Sequence, residues 1–173
     1  MDPLRRDPPP QMPALTPVHL MAPVVGQMVS EAVARFPDET GGVMLGWTVN
    51  DATHVRHVVG PGPNARHGPT GFHPDSTWQE QVIADLYQDS GRRLSYLGDW
   101  HTHPRGVARP SRLDRATLRT IARHPPARCP QPLMLILGGE PDEWVFSMYQ
   151  RLTGPHLPHR RVCRVDVVIS SQG

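Results

Sequence analysis

The sequence predicts an α+β fold with a mixed, largely antiparallel sheet flanked by helices. Three observations predict it. Amphipathic stretches of helical period alternate with short β-branched runs, Gly or Pro punctuates the boundaries between them, and no segment repeats. A chain of 173 residues suits one domain with a substantial core. The expected division is a flexible Pro- and Arg-rich leader over residues 1–16 and a single domain over 17–173.

Each element has its own reason. Over 22–36, Val25, Met28, Val29, Ala32 and Val33 recur at helical spacing, and Pro37 ends the helix. Residues 42–49 (GVMLGWTV) and 53–59 read as strands, the second closed by Gly60-Pro61-Gly62-Pro63. Residues 64–74 read as a loop. Asp75 and Ser76 offer an N-cap for a helix running to about Asp89, with Trp78, Val82, Ile83 and Leu86 on one side and Ser90-Gly91 as its stop. A strand over 94–103 runs into Pro104, and a helix follows from Ser111 to about Arg123. The wholly apolar 133–137 reads as a central strand, and 144–151 and 162–170 complete the set.

Composition narrows the function classes. Apolar residues make up 38% and charged residues 20%, as in a folded soluble domain, although 21 prolines are many. The net charge of +2 comes without a dense basic run, so neither nucleic acid nor a membrane surface is an expected partner. All 18 basic residues are Arg, a usage that GC-rich coding accounts for. The N-terminal stretch has no apolar signal core, and no segment approaches membrane-spanning length, which points to the cytoplasm. Cys129 and Cys163 stand outside any CxxC, so they read as small buried residues rather than a disulfide framework or zinc thiolates.

The chemistry concentrates in Gly98-Asp-Trp-His-Thr-His-Pro-Arg-Gly-Val-Ala-Arg-Pro-Ser-Arg-Leu-Asp114. His101 and His103 lie two apart near a strand end, so both imidazoles leave the same face while Thr102 points away. If Ser111 opens the next helix, Asp114 sits in its first turn and can face back toward them. A His2Asp set leaves one corner of a tetrahedral zinc site open, as catalytic rather than structural zinc requires. Taken alone, Ser-x-x-Asp is a capping box that needs no metal, and an isolated HxH is weak. Their combination across one Pro-kinked loop is far more specific.

These residues resemble the motif of the JAMM (JAB/MPN-plus) metalloprotease family: His-Thr-His-Pro, six intervening residues, then Ser-x-x-Asp. Glu39-Thr-Gly-Gly-Val-Met-Leu-Gly46 is similar to the family's glutamate segment. Phe72-His-Pro-Asp75, Trp78-Gln79 and Tyr96-Leu-Gly-Asp-Trp100 resemble its bacterial JAB branch, and the likeness covers roughly residues 20–150. It implies a JAB/MPN-like domain of cytidine-deaminase-like architecture, Zn2+ held by His101, His103 and Asp114, Glu39 as general acid/base, and Ser111 as a donor to the oxyanion. It also implies hydrolysis of an isopeptide or peptide bond after the C-terminal glycine of a ubiquitin-like or sulfur-carrier protein, with E1- and E2-like proteins as possible operon partners. An extended tail would dock on a strand edge near 42–49 or on the loop 64–74.

The alternatives are a catalytically silent MPN-like interaction module and another zinc hydrolase. Silent relatives lose several of the motif residues, whereas all are present here. A nucleobase deaminase of related fold needs P-C-x-x-C, which is absent around Cys129. Asp99 shares a strand face with His101 and reads either as an acceptor for a ligand imidazole or as a residue beyond the site. Trp100 reads as core. His54, His57, His67, His124, His156 and His159 read as surface or loop residues, as does His73.

Overall fold

In the computed structural model, which describes residues 15–153 and 161–171, the described residues form ten strands, three α-helices and one short 3-10 turn, joined by brief connections. The order is β1 (Val18–Met21), α1 (Ala22–Arg35), β2 (Gly41–Val49), β3 (Ala52–Val59), β4 (Arg66–Gly68), β5 (Gly71–His73), α2 (Ser76–Asp89), β6 (Ser95–Pro104), α3 (Arg112–Arg123), β7 (Leu133–Gly139), β8 (Val145–Arg151), β9 (Val162–Val165) and β10 (Val167–Ser170). The α+β class and the mixed sheet are as expected. Residues 1–14, most of the expected leader, lie outside the described residues, as do His156 and His159. No helix among the described residues is long and apolar enough to cross a membrane.

One sheet takes the order β10-β1-β3-β2-β6-β7-β8-β9, and β4-β5 forms a separate hairpin. β2 pairs antiparallel with β3 and β6, as do β7 with β8 and β8 with β9. β1 runs parallel to β10 and β3, and β6 runs parallel to β7. Only Asp166 separates β9 from β10, although they sit at opposite edges of the sheet. The sheet therefore curls almost into a barrel, which the accumulated twist of eight strands permits. The expected single strand over 162–170 is thus two. Its β-branched pattern carries no clear sign that the pairing partner changes at Asp166.

Period-2 alternation divides the core. Leu133, Leu135 and Leu137 of β7 join Met44, Val55, Trp100 and Met148 in a cluster closed by Val24, Met28 and Ala32 of α1. Met134 and Ile136 point the other way and meet Leu118 of α3. β7 is buried on both faces, which is why it reads as a continuous apolar run.

Four further differences from expectation follow. β1 is only Val-His-Leu-Met, with Val18 and Leu20 buried, and is too short to stand out before a helix that has Pro at its start. The expected loop over 64–74 contains the β4-β5 hairpin, whose three-residue strands are too brief to show a period. β2 lies between β3 and β6, so the expected docking edge near 42–49 is already paired on both sides. Cys129 and Cys163 are half-buried free thiols rather than fully buried ones, and Cys129 donates to the Leu97 carbonyl at 3.5 Å.

Candidate metal centre

The site is built where β6 ends and α3 begins. Trp100 and Thr102 face α1, and the intervening residues Asp99, His101 and His103 face α3. Trp100 is 1% exposed, the core residue expected. After Pro104, which still pairs with Gly139 as the last residue of β6, the chain loops out and returns at Ser111. Ser111 is the N-cap of α3: its Oγ accepts from the Asp114 N–H at 3.1 Å, and Asp114 Oδ2 accepts from the Ser111 N–H at 2.6 Å. The capping box exists, and it holds the Asp114 carboxylate toward the histidines. Capping and metal binding are compatible because the two carboxylate oxygens divide the work.

His101 Nε2 lies 3.3 Å from Asp114 Oδ1, and His103 Nε2 lies 3.5 Å from Asp114 Oδ2. The two Nε2 atoms are 3.1 Å apart. His103 Nδ1 donates to the Val107 carbonyl at 3.0 Å, so in the neutral ring the proton sits on Nδ1 and Nε2 is a lone pair, and Nε2 can donate to Asp114 only when the ring is protonated. A neutral His101 can bring at most one proton to this meeting of His103 Nε2 and a carboxylate. A shared cation satisfies all three groups at once. A tetrahedron of ~2.0–2.1 Å bonds has an edge of about 3.3 Å, close to the spacings observed. One donor atom from each of His101, His103 and Asp114 lies within 4.8 Å of the others, so the set fits a divalent metal.

Protonation of the His103 ring can join the same groups, and the electrostatics show how strongly they attract positive charge. Burial raises the Asp114 carboxyl, but hydrogen bonds from His101 and His103, the charge of His101 and the Ser111 N–H together hold it far below the usual carboxylate range. The His103 imidazole is held above its ordinary value, first by its hydrogen bond to Asp114, against burial, with help from the Val107 carbonyl and the charges of Asp114 and Glu39.

Glu39 stands just before β2 and lines the same cleft, of about 320 Å³, as His101, Asp99 and Asp114. Burial pushes its carboxyl up, against the pull of His103 and His101. Its backbone is pinned from two sides. Thr40 N–H donates to Thr102 Oγ1 at 3.0 Å and Thr102 N–H to the Thr40 carbonyl at 2.8 Å, tying the segment to β6. On the other side, Glu39 N–H donates to the Gly68 carbonyl at 2.8 Å, and His67 Nδ1 donates to the Glu39 carbonyl at 2.9 Å.

His67 is therefore the residue that sequence reasoning missed. It has no ligand spacing, and its hydrogen bond depends on a hairpin that a local pattern does not reveal. Asp99 accepts from Tyr96 Oη at 2.6 Å rather than from a ligand imidazole, and burial raises its carboxyl against that bond and the charge of His101. His73 is exposed at the end of β5.

Comparison with known proteins agrees with this geometry. Residues 21–149 match the family described as prokaryotic homologs of the JAB domain. A probable metalloprotease, y4qB, of Sinorhizobium fredii is 38% identical over 86% of this chain and 92% of its own length. CD-NTase/cGAS isopeptidases of Escherichia coli and Enterobacter hormaechei are 27% and 30% identical over 74% of this chain, and over 80% and 71% of their own lengths. The solution structure of protein DSY2949 from Desulfitobacterium hafniense shares the fold, with a TM-score of 0.66 over 90% of this chain and 94% of that one at 21% identity. With the His-His-Asp cluster in place on the matched fold, the chain belongs to the bacterial JAB/JAMM metalloprotease family.

Proposed function

We propose that the protein hydrolyses an amide bond after the C-terminal glycine of a ubiquitin-like or sulfur-carrier protein, using zinc held by His101, His103 and Asp114. The observation that carries this reading is the convergence of two imidazoles and a carboxylate on one point beside Glu39, in a cleft open to substrate. Zinc supplies Lewis acidity there, and the mixed nitrogen and oxygen donors suit it. Glu39 takes the proton of the attacking water and returns it to the leaving amine. Partial burial raises its carboxyl toward the range in which it can serve as both base and acid. Ser111 Oγ accepts from the Asp114 N–H, which leaves its own hydroxyl proton free to donate to the carbonyl oxygen as negative charge develops.

Two features support a glycine-ended protein substrate. Gly42 and Gly71 line the cleft, and the Phe72 ring lies so close to Gly41 that a Cβ built there would meet it at 2.7 Å. An extended tail without side chains suits such a passage. Among the described residues β5 pairs only with β4, so its outer edge can add a strand beside the cleft. Relatives named isopeptidases favour an isopeptide bond in a conjugate.

The test is cleavage of a ubiquitin-like protein whose terminal Gly-Gly is joined to a fluorogenic amine. Cleavage is expected to disappear on chelation, return with zinc, and fall about 10²- to 10⁴-fold in Glu39→Gln with zinc content unchanged. Zinc-loaded protein that cleaves unrelated peptides but no Gly-Gly fusion would refute the substrate reading. Protein that takes up no zinc, with Glu39→Gln indistinguishable from the parent, would favour a silent interaction module.

A further inference from the structure

The helices that border the cleft carry opposite charge. α2 holds Glu80, Asp85 and Asp89 and no basic residue, whereas α3 holds Arg112, Arg115, Arg119 and Arg123 with Asp114 as its one acid. The four arginines recur at intervals of three or four residues, so they form one stripe about 16 Å long at ~1.5 Å rise per residue. Arg112, Arg115 and Arg123 are exposed, Arg119 is half-buried, and none of the four side chains has an ion pair or hydrogen bond among the described residues. Like charges at this spacing work against a helix, and surface helices ordinarily intersperse the two signs. Exposed Arg164 of β9, in register with Tyr149 on the α3 face, widens the patch.

We propose that this stripe is a docking surface for an acidic patch of the protein substrate; the identification of the occupant as substrate rests on the reading above. The stripe starts one residue beyond Ser111, so anything seated on it is directed toward the cleft. Leu113 and Val107, each 70% exposed, supply apolar contact at that end. Arginine beside exposed apolar side chains is a composition that protein interfaces favour. A nucleic-acid strand fits less well, because α3 has no aromatic residue on which bases could stack.

The experiment measures binding of fluorescein-labelled decaglutamate to the full chain by anisotropy, without added metal. An oligothymidylate of equal length is the competitor. Binding that weakens with salt is expected. Arg115→Glu combined with Arg119→Glu should lower affinity about tenfold or more, as expected from removing two guanidinium contacts and adding repulsion. The control reverses the same charge at Arg92 and Arg93, exposed beyond the end of α2, and should leave affinity unchanged. Helicity by circular dichroism should match the parent in both variants. Equal loss in both variants would show attraction to bulk charge and overturn the proposal. So would absence of binding at low salt, or an oligothymidylate that binds the stripe more tightly than the peptide. Hydrolysis is not part of the readout, so failure here leaves the zinc-hydrolase reading intact, and failure of that reading leaves the acidic docking surface standing but removes the identification of its occupant as substrate.

Discussion

The two faces of β6 are built on opposite rules. On the α1 face, Trp100 packs in the apolar cluster and Thr102 stitches β6 to the Glu39 segment through three hydrogen bonds with Thr40. On the α3 face, Asp99 and His101 line a cleft with Asp114, and the ring nitrogens of His101 and His103 and the Asp114 carboxylate oxygens lie 3.1–3.5 Å apart. One face uses close packing to hold the strand still. The other gathers donor atoms that repel one another unless a proton or a metal cation joins them. A strand does both because its side chains alternate every residue, so rigidity and reactivity sit back to back.

Substitutions on either side should separate the two roles. The largest effect is expected from His101→Ala, which removes one of three donors and should abolish stoichiometric metal binding together with hydrolysis, while the metal-free protein loses no more than about 1 kcal/mol of folding stability. Metal content by atomic emission and a urea melt without metal check the two halves. Trp100→Ala should do the reverse: unfolding falls by about 3–5 kcal/mol in the same melt, as for other buried aromatics, while the fraction that remains folded still binds metal. A Trp100 variant that melts like the parent yet takes up no metal would break the division between the faces.

Much of this division could be read before any coordinates. The HxH spacing predicts a shared face, and Ser-x-x-Asp predicts a capped turn, because both follow from local periods that tertiary structure leaves alone. Glu39 was legible only through its likeness to a family segment, since nothing local links it to residues sixty positions away. The path of the sheet was not legible in the same way. β9 and β10 are separated in sequence by Asp166 alone but pair at opposite edges, because pairing partners are set by global twist rather than by local pattern. The hairpin and His67 were hidden for a related reason: three-residue strands carry no period, and a hydrogen bond spanning twenty-eight positions leaves no local mark.

His67 sharpens the comparison because it acts on the site from outside β6. Its Nδ1–H holds the Glu39 carbonyl while its Nε2 is buried without a partner, so the ring is committed to that single bond. His67→Leu leaves the carbonyl without its donor, at a typical cost of about 1–3 kcal/mol. The expected result is a kcat about tenfold lower with metal content unchanged. His67→Asn, whose amide can take the place of Nδ1–H, should recover most of the loss. Equal loss in both variants would mean that the ring packs against Phe72 without positioning Glu39.

The smallest effect concerns what the α3 face costs the fold. Burial raises the Asp99 carboxyl above its ordinary value, opposed by the Tyr96 hydrogen bond and the charge of His101. A raised folded value means that the folded state prefers the protonated form. Below about pH 3.9, where the unfolded chain is also protonated, the preference has no effect on stability; as pH rises through the folded value, stability falls. Asn at this position keeps an oxygen to accept from Tyr96 Oη and never ionises. Asp99→Asn should therefore melt above the parent at pH 7 and alongside it near pH 3 when both are free of metal. A variant that melts lower at pH 7 would show that the ionised carboxylate gains more from Tyr96 and His101 than burial takes away. In that case Asp99 would belong with the stabilising residues of β6 despite facing the cleft.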